Sequence, residues 1–163
     1  MNHPLPASDA TLAARFKERG LPLTQQRRAI YEFLRSSREH PSAEDIYLKL
    51  KPRQHGLSLA TVYKTLHTLE HLGLARAVDT PHSQTRFDAL TGTHHHAICT
   101  ACGRIEDLFD PRLDALKLPA SAGGFEPLDH SVHFRGLCAA CRKRAPKDAL
   151  LRSAPDTGRR ANS

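Results

Sequence analysis

Two Cys-x-x-Cys pairs, Cys99/Cys102 and Cys138/Cys141, constrain this chain more than any other feature, because whatever lies between them must fold so as to bring two knuckles together. Such pairs supply four thiolates to one tetrahedral ion and leave no position for a substrate, so the spacing predicts structural zinc and not catalysis. Gly103-Arg104 and Arg142-Lys143 behind the pairs are turn-forming or basic, as is common at zinc knuckles. The alternatives are two disulfides or four unrelated buried thiols, which tight pairing in a reducing compartment disfavours. There is no run of about 18 apolar residues and no short apolar segment with a basic N-terminal flank. The expected location is therefore the cytoplasm, with no membrane partner.

A chain of 163 residues holds one ordinary domain or two small ones. Units below roughly 80 residues commonly need a metal or a partner subunit to reinforce their cores, so a zinc clip and a homodimer are both expected. The net charge of +7 points toward nucleic acid, yet seven Lys/Arg against two Asp after residue 141 supply +5 of it. A DNA-binding reading must then rest on pattern and not on charge.

Residues 1–9 contain two prolines and no periodicity, and read as a flexible arm. Helical patterning follows over Thr11 to Arg19, stopped by Gly20, and from an N-cap at Thr24 to about Ser37, with Ile30, Phe33 and Leu34 as its apolar face. His40-Pro41 breaks the run, so His40 is expected at a bend. Ser42-Ala43-Glu44-Asp45 has the form of a capping box opening a third helix. Ser58 caps a fourth, Leu59 to about Leu72, whose stripe Leu59, Val62, Leu66 and Leu69 faces inward. Its other face shows Thr61, Lys64, Thr68 and His71 with Tyr63 at the flank, a surface suited to a major groove. Leu74 to Asp79 and Thr85 to Ala89 read as strands joined by a polar tip carrying His82 and Gln84, with Arg86 near it. Helices followed by such a hairpin form a winged helix, and Ser58, Thr61, Tyr63, Lys64 and Arg27 are the candidate DNA contacts, Arg27 on phosphate.

The character changes near residue 90. His95 to Thr100, Ile105 to Phe109 and Ser131 to Leu137 look like strands, a helix starts near Pro111, and Pro119 to Gly124 reads as a loop. The expected fold is α+β: an arm (1–9), a winged helix-turn-helix domain (10–90), a small α/β dimerisation domain with a four-cysteine zinc site (91–144) and a basic tail (145–163) expected to be disordered. Alternation in Thr93-His94-His95-His96-Ala97 sends His94 and His96 to one face and His95 to the other. Asp88 and Asp107 are the nearest carboxylates in sequence. Imidazoles with carboxylates suit Mn, Fe(II) or Zn, whereas four thiolates prefer zinc. A lone histidine at a bend or a carboxylate at a strand end is more often a solvated surface group, and spacing alone does not assemble these residues.

The motifs together resemble the ferric uptake regulator (Fur) family over about residues 10 to 144. They are Leu23-Thr24-Gln25-Gln26-Arg27, His40-Pro41-Ser42-Ala43-Glu44-Asp45-Ile46-Tyr47, Ser58-Leu59-Ala60-Thr61-Val62-Tyr63, Arg86-Phe87-Asp88, His94 to Gly103, and Gly136-Leu137-Cys138-Ala139-Ala140-Cys141. The resemblance implies a homodimeric, metal-dependent repressor that binds double-stranded operator DNA, with a regulatory ion between its domains. Carried over by position, the ligands would be His40, Asp88, His94, His96 and Asp107. Aspartate at 107 resembles the peroxide-sensing branch, in which Fe(II) reacts with peroxide and oxidises histidines matching His40 and His94, while the Mn(II) form is insensitive. An iron- or manganese-uptake regulator without peroxide sensing is the alternative. A zinc-responsive regulator fits less well, because members of that kind usually place a cysteine in the regulatory site and none is spare. A third family site would map onto Thr93, His95, Asp114 and His130, with Thr93 standing where histidine is usual. Zinc (structural) and Fe(II) or Mn(II), with Zn as a substitute, are the implied ions.

An enzyme is not expected: a hydrolase would need a helical His-Glu-x-x-His pair, a nucleophile elbow or a phosphate loop, and none is present. A zinc-buffering or protein-interaction module whose winged helix no longer reads DNA is the remaining rival.

Overall fold

A computed structural model describes residues 6–80, 84–117 and 130–144. The tip residues His82 and Ser83, the expected loop at 119–124 and the basic tail 145–163 lie outside the described residues.

The N-terminal half is built from four helices, each opened by a hydroxyl cap. In α1 (Asp9–Glu18) the Ser8 side chain accepts the Thr11 amide, and in α2 (Gln25–Ser36) Thr24 accepts that of Arg27. Helix α3 (Ala43–Leu50) starts with a reciprocal box, since Ser42 Oγ accepts the Asp45 amide while Asp45 Oδ2 accepts the Ser42 amide. Ser58 caps α4 (Leu59–His71) in the same way through Thr61. These caps satisfy amides that the helices leave without internal partners. The apolar stripes then meet in one core of Leu12, Phe16, Ile30, Tyr31, Leu34, Ile46, Val62, Leu66 and Leu69, all buried. Each such side chain contributes about 1.5–3 kcal/mol by leaving water. Gly73 ends α4 at a φ of 66°, a left-handed turn that a Cβ would strain.

Residues 7–9, at the end of the expected arm, are tied to the helices. Asp9 already lies in α1, the Tyr31 hydroxyl donates to the Ala7 carbonyl at 2.9 Å, and Arg28 is ion-paired with Asp9. Buried Tyr31 needs a partner for its hydroxyl, and the chain ahead of α1 supplies it.

Strands β1 (Arg76–Val78) and β2 (Arg86–Asp88) pair antiparallel as the wing. Beyond them, β3 (His95–Cys99) is the centre of a three-stranded sheet ordered β4-β3-β5, with β4 (Ile105–Leu108) antiparallel to it and β5 (His133–Gly136) parallel. Between these strands Pro111 opens the short helix α5 (Pro111–Asp114), capped by Asp110. Helix α6 (Ala139–Arg144), which the sequence does not announce, carries Cys141. Among the described residues the buried apolar cluster of this half is Ile98 and Ile105, joined by Val78 from the wing.

Candidate metal centres

The four cysteine sulfurs lie within 4.8 Å of one another, brought together because β3 and β5 run parallel and end side by side. Cys99 closes β3, and the turn after it is made by Gly103 at φ 72°, whose amide donates to the Cys99 carbonyl at 2.9 Å. Cys102 and Cys138 stand 3.8 Å apart. Zinc–sulfur bonds of about 2.3 Å in a tetrahedron place neighbouring sulfurs about 3.8 Å apart, so this spacing suits a shared ion.

The protonation chemistry agrees. Burial raises the Cys99 thiol, but amide donors from Cys138, Cys102 and Ala101 outweigh it and hold the group down at about 6. Cys141, hydrogen-bonded first to Cys102 and then to Cys138, is pushed up to about 12. Four thiols this close cannot all ionise unless a cation neutralises them, and a coordinated thiol is deprotonated outright.

The second cluster joins the two halves. His40, Asp88, His94, His96 and Asp107 each aim one ligand atom into a space where all five atoms lie within 4.8 Å of one another. Asp88 closes the wing, while His96 and Asp107 are direct cross-strand partners on β3 and β4. Alternation works as the sequence predicts: His94 and His96 enter the cluster, and His95 points away. Glu106, next to Asp107, is exposed and ion-paired with Arg104 at 3.0 Å, on the opposite strand face.

Backbone groups prepare two of these ligands. Asp88 Oδ1 accepts the Leu90 amide at 2.7 Å, which leaves Oδ2 for the cluster. His94 Nδ1 donates to the Gly92 carbonyl at 2.8 Å, a bond that places the ring lone pair on Nε2, toward Asp88 Oδ2 at 2.9 Å and His96 Nε2 at 3.0 Å. The linker is itself pinned, since Arg76 donates to the carbonyls of Thr91 and Gly92. Sequence reading could not find these supports, because main-chain carbonyls and amides carry no residue signature.

Left without a cation, this arrangement is unsatisfied. His40 Nδ1 and Nε2, Asp88 Oδ2, His96 Nδ1 and Asp107 Oδ1 are buried without a hydrogen-bond partner. His40 Nε2 lies 2.9 Å from Asp107 Oδ1, close in distance but not in hydrogen-bonding geometry. Burial, aided by the neighbouring charges of His94 and His40, holds His96 down at about 4, so its ring is neutral at physiological pH. Burial raises Asp107, but the His40 imidazole against it, with His94 and His96 nearby, brings it below the ordinary carboxylate value. Three imidazoles and two carboxylates match a borderline divalent ion, and the carboxylates cancel its charge in a site mostly closed to water. A cleft of about 990 Å³, bordered by His40, Asp88, Asp107 and Phe109, opens onto the cluster.

The third expected group is arranged otherwise. His95 Nδ1 accepts the Val132 amide at 3.1 Å, so the ring proton sits on Nε2, which donates to Asp114 Oδ1 at 3.1 Å. His130 Nε2 is turned to the Leu113 carbonyl at 2.8 Å, its ring stacked 5.9 Å from that of His95. Among the described residues only the cysteine set and the five-residue set converge as metal-ligating groups.

The candidate DNA contacts are spread over α2 and α4. Lys64 is exposed, and the Ser58 and Thr61 hydroxyls meet at 2.8 Å over the first turn of α4. Tyr63 is 38% exposed and donates to Glu44 Oε1 at 2.8 Å. Arg27 is half-buried, its guanidinium over the Phe16 ring and bonded to the Pro22 carbonyl at 2.6 Å. No helix among the described residues is long and apolar enough to cross a membrane.

A family model described as the ferric uptake regulator family matches residues 18–135. The peroxide operon regulator of Bacillus subtilis (strain 168) is 40% identical over 129 residues, covering 78% of this chain and 89% of the relative. The peroxide-responsive repressor PerR of Staphylococcus epidermidis is 34% identical over 144 residues, covering 88% and 93%. In fold, the chain superposes on the ferric uptake regulator Fur of Helicobacter pylori with a TM-score of 0.70 at 24% identity, covering 87% of this chain and 97% of that one.

Proposed function

From the premise that this chain belongs to the ferric uptake regulator family, we propose that it is a peroxide-responsive, DNA-binding repressor acting in the cytoplasm as a homodimer. Residues 10–90 are the reading head and residues 91–144 the metal-binding and pairing half. The set Cys99, Cys102, Cys138 and Cys141 holds structural zinc; the His40, Asp88, His94, His96 and Asp107 set holds the regulatory ion. The observation that carries this reading is the cluster of five ligand-competent side chains spanning both halves, with buried atoms of His40, Asp88 and Asp107 in it left without hydrogen-bond partners. Relatives at 34–40% identity that are named for peroxide response support the sensing role.

His40, Asp88, His94, His96 and Asp107 would hold the ion, and Fe(II) bound there would supply the reducing equivalent for a peroxide reaching the site by the cleft. The chain's own part is to bind, orient and be modified. His40 and Asp88 come from the reading head, so occupancy fixes its angle to the β3 sheet. His94, held by Gly92, and His40 are the side chains placed to take the oxidation. Loss of His40 as a donor weakens the hold on the head directly, and loss of His94 weakens the hold on the ion that His40 and Asp88 share. The support for a homodimer is β5, the edge of the sheet among the described residues and exposed along its length, with Phe134 46% exposed. On DNA, α4 enters the major groove with Tyr63, Lys64, Thr61 and Ser58 at the surface, and Arg27 lies along the backbone. A helix N-terminus flanked by hydroxyls is a natural phosphate seat. The His95, Asp114 and His130 group serves as a hydrogen-bonded strut between β3, α5 and the start of β5.

The test is operator binding, measured by gel shift, for protein loaded with zinc and then with Mn(II) or Fe(II), before and after low peroxide. Loss of binding in the Fe(II) form alone, with added oxygen mass on peptides containing His40 or His94, is the expected result. Identical behaviour of both forms would favour an uptake regulator without peroxide sensing.

A further inference from the structure

Arg86 is neither a ligand nor a candidate DNA contact, although its place near the wing tip puts it within reach of a duplex. The structure turns its side chain inward, leaving it 25% exposed. Its Nη1 donates to the His40 carbonyl at 3.1 Å and lies 3.5 Å from Asp45 Oδ2. Asp45 Oδ2 in turn accepts the Ser42 amide at 3.0 Å and the Ser42 hydroxyl at 2.9 Å, closing the cap of α3.

His40 needs such support. It is the one non-glycine residue with positive φ, at 48°, among the described residues, and it precedes a proline. Left-handed backbone is uncommon for a residue with a bulky side chain and persists only where neighbours over-determine it. The neighbours here are all on β2: Ser42 bridges to Arg86, the Phe87 amide donates to the Pro41 carbonyl at 3.1 Å, and Arg86 holds the His40 carbonyl. Two residues along the same strand is Asp88. One short strand therefore fixes the peptide plane of one metal ligand and carries another.

We propose that Arg86 is a positioning residue for the regulatory ion: by holding His40 in its left-handed conformation beside Asp88, it pre-assembles the two donors that the reading head contributes. The proposal rests on the ligand assignment made under the proposed function. A contact that orients a ligand without touching the metal is worth about 10–100-fold in affinity.

The test compares Mn(II) affinity, by calorimetry or chelator competition, in zinc-loaded parent, Arg86→Met, Arg86→Lys and His94→Ala proteins. Arg86→Met keeps the aliphatic stem and loses every donor; it should bind Mn(II) about 10-fold more weakly, with zinc content and melting temperature unchanged and operator affinity restored by excess Mn(II). Arg86→Lys, which can still donate to the carbonyl, should recover most of the loss. Parent-like Mn(II) affinity in Arg86→Met, alongside lost binding in His94→Ala, overturns the inference and leaves the site reading intact. Parent-like affinity in His94→Ala overturns both. Operator binding that excess Mn(II) does not restore assigns Arg86 to DNA instead, and also overturns it. Should Arg86→Met lose its helical circular dichroism, Arg86→Gln, with a shorter arm, reads the same loss.

Discussion

Replacing Cys138 by Ser should unfold the C-terminal half of the chain while sparing the N-terminal half. The contrast follows from how each half is held. Among the described residues, a core of sixteen buried side chains stands behind α1 to α4, while beyond the wing Ile98 and Ile105 cluster with Val78. Two buried isoleucines contribute about 4 kcal/mol between them. Structural zinc on thiolates contributes about 10–16 kcal/mol at neutral pH, so a quarter of it, about 2.5–4 kcal/mol for one lost sulfur, is comparable to what these two isoleucines contribute. The parallel pairing of β3 with β5 would be the first casualty, because Cys99 ends β3 and Cys138 follows β5 by two residues.

Zinc content and limited proteolysis check this directly. The variant should carry less than one zinc per chain, and cleavage should begin after residue 90 while a fragment containing α1 to α4 persists. Thermal unfolding should separate into two transitions, the helical one near the parent's. A zinc-free variant with residues 95–108 as resistant to protease as in the parent would refute the reasoning, since its fold would then rest on something other than the metal.

The remaining predictions concern the regulatory site and the reading head. Asp107→Ala should lose Mn(II) by more than the 10–100-fold typical of a supporting contact yet keep its zinc, as read by elemental analysis after dialysis. Burial lowers the His94 proton affinity, but Asp88, the Gly92 carbonyl and Asp107 raise it above the ordinary value. A proton on Nε2 competes with the ion, so Mn(II) affinity should fall by about tenfold per pH unit as pH drops below that raised value and level off above it; a flat profile between about pH 5 and 8 would show that His94 is not a ligand. Leu66→Ala, fully buried on α4, should cost about 2–5 kcal/mol in urea unfolding. Lys64→Ala should reduce the slope of log affinity against log salt by about 1, and an unchanged slope would take Lys64 off the phosphate backbone.

Local chemistry was legible in the sequence where a residue acts on its own neighbours. Thr24, Ser42 and Ser58 cap the helices that their positions announce, and strand alternation sorts His94 and His96 from His95. The paired cysteines meet because their spacing demands one ion. The start of α1 was harder to see, since it depends on a distant tyrosine hydroxyl reaching Ala7. Also hidden was the parallel register of β5, which places His133 beside His96, their rings 5.4 Å apart. Parallel pairing is set by how the chain returns across the sheet, and no short segment records it. His40 shows the same limit: the sequence predicts a bend, but the left-handed backbone and its anchor on Arg86 come from a strand far along the chain.

The division of ligands between the halves sets how strongly the ion can switch the molecule. His94, His96 and Asp107 lie on or beside one sheet and could hold a divalent ion whatever the angle of the reading head. Only His40 and Asp88 make binding sensitive to that angle, so the useful free energy is what these two donors add and not the total affinity. If they raise affinity about 100-fold, the preference is worth about 2.7 kcal/mol per subunit. In the proposed homodimer two sites together give about 5.5 kcal/mol, which is what moves a two-state equilibrium from about 1:99 to 99:1. Two donors per head are thus enough for a decisive switch. Oxidation of His40 alone would remove half of the contribution from that head, which returns the balance toward the open state without the ion having to leave.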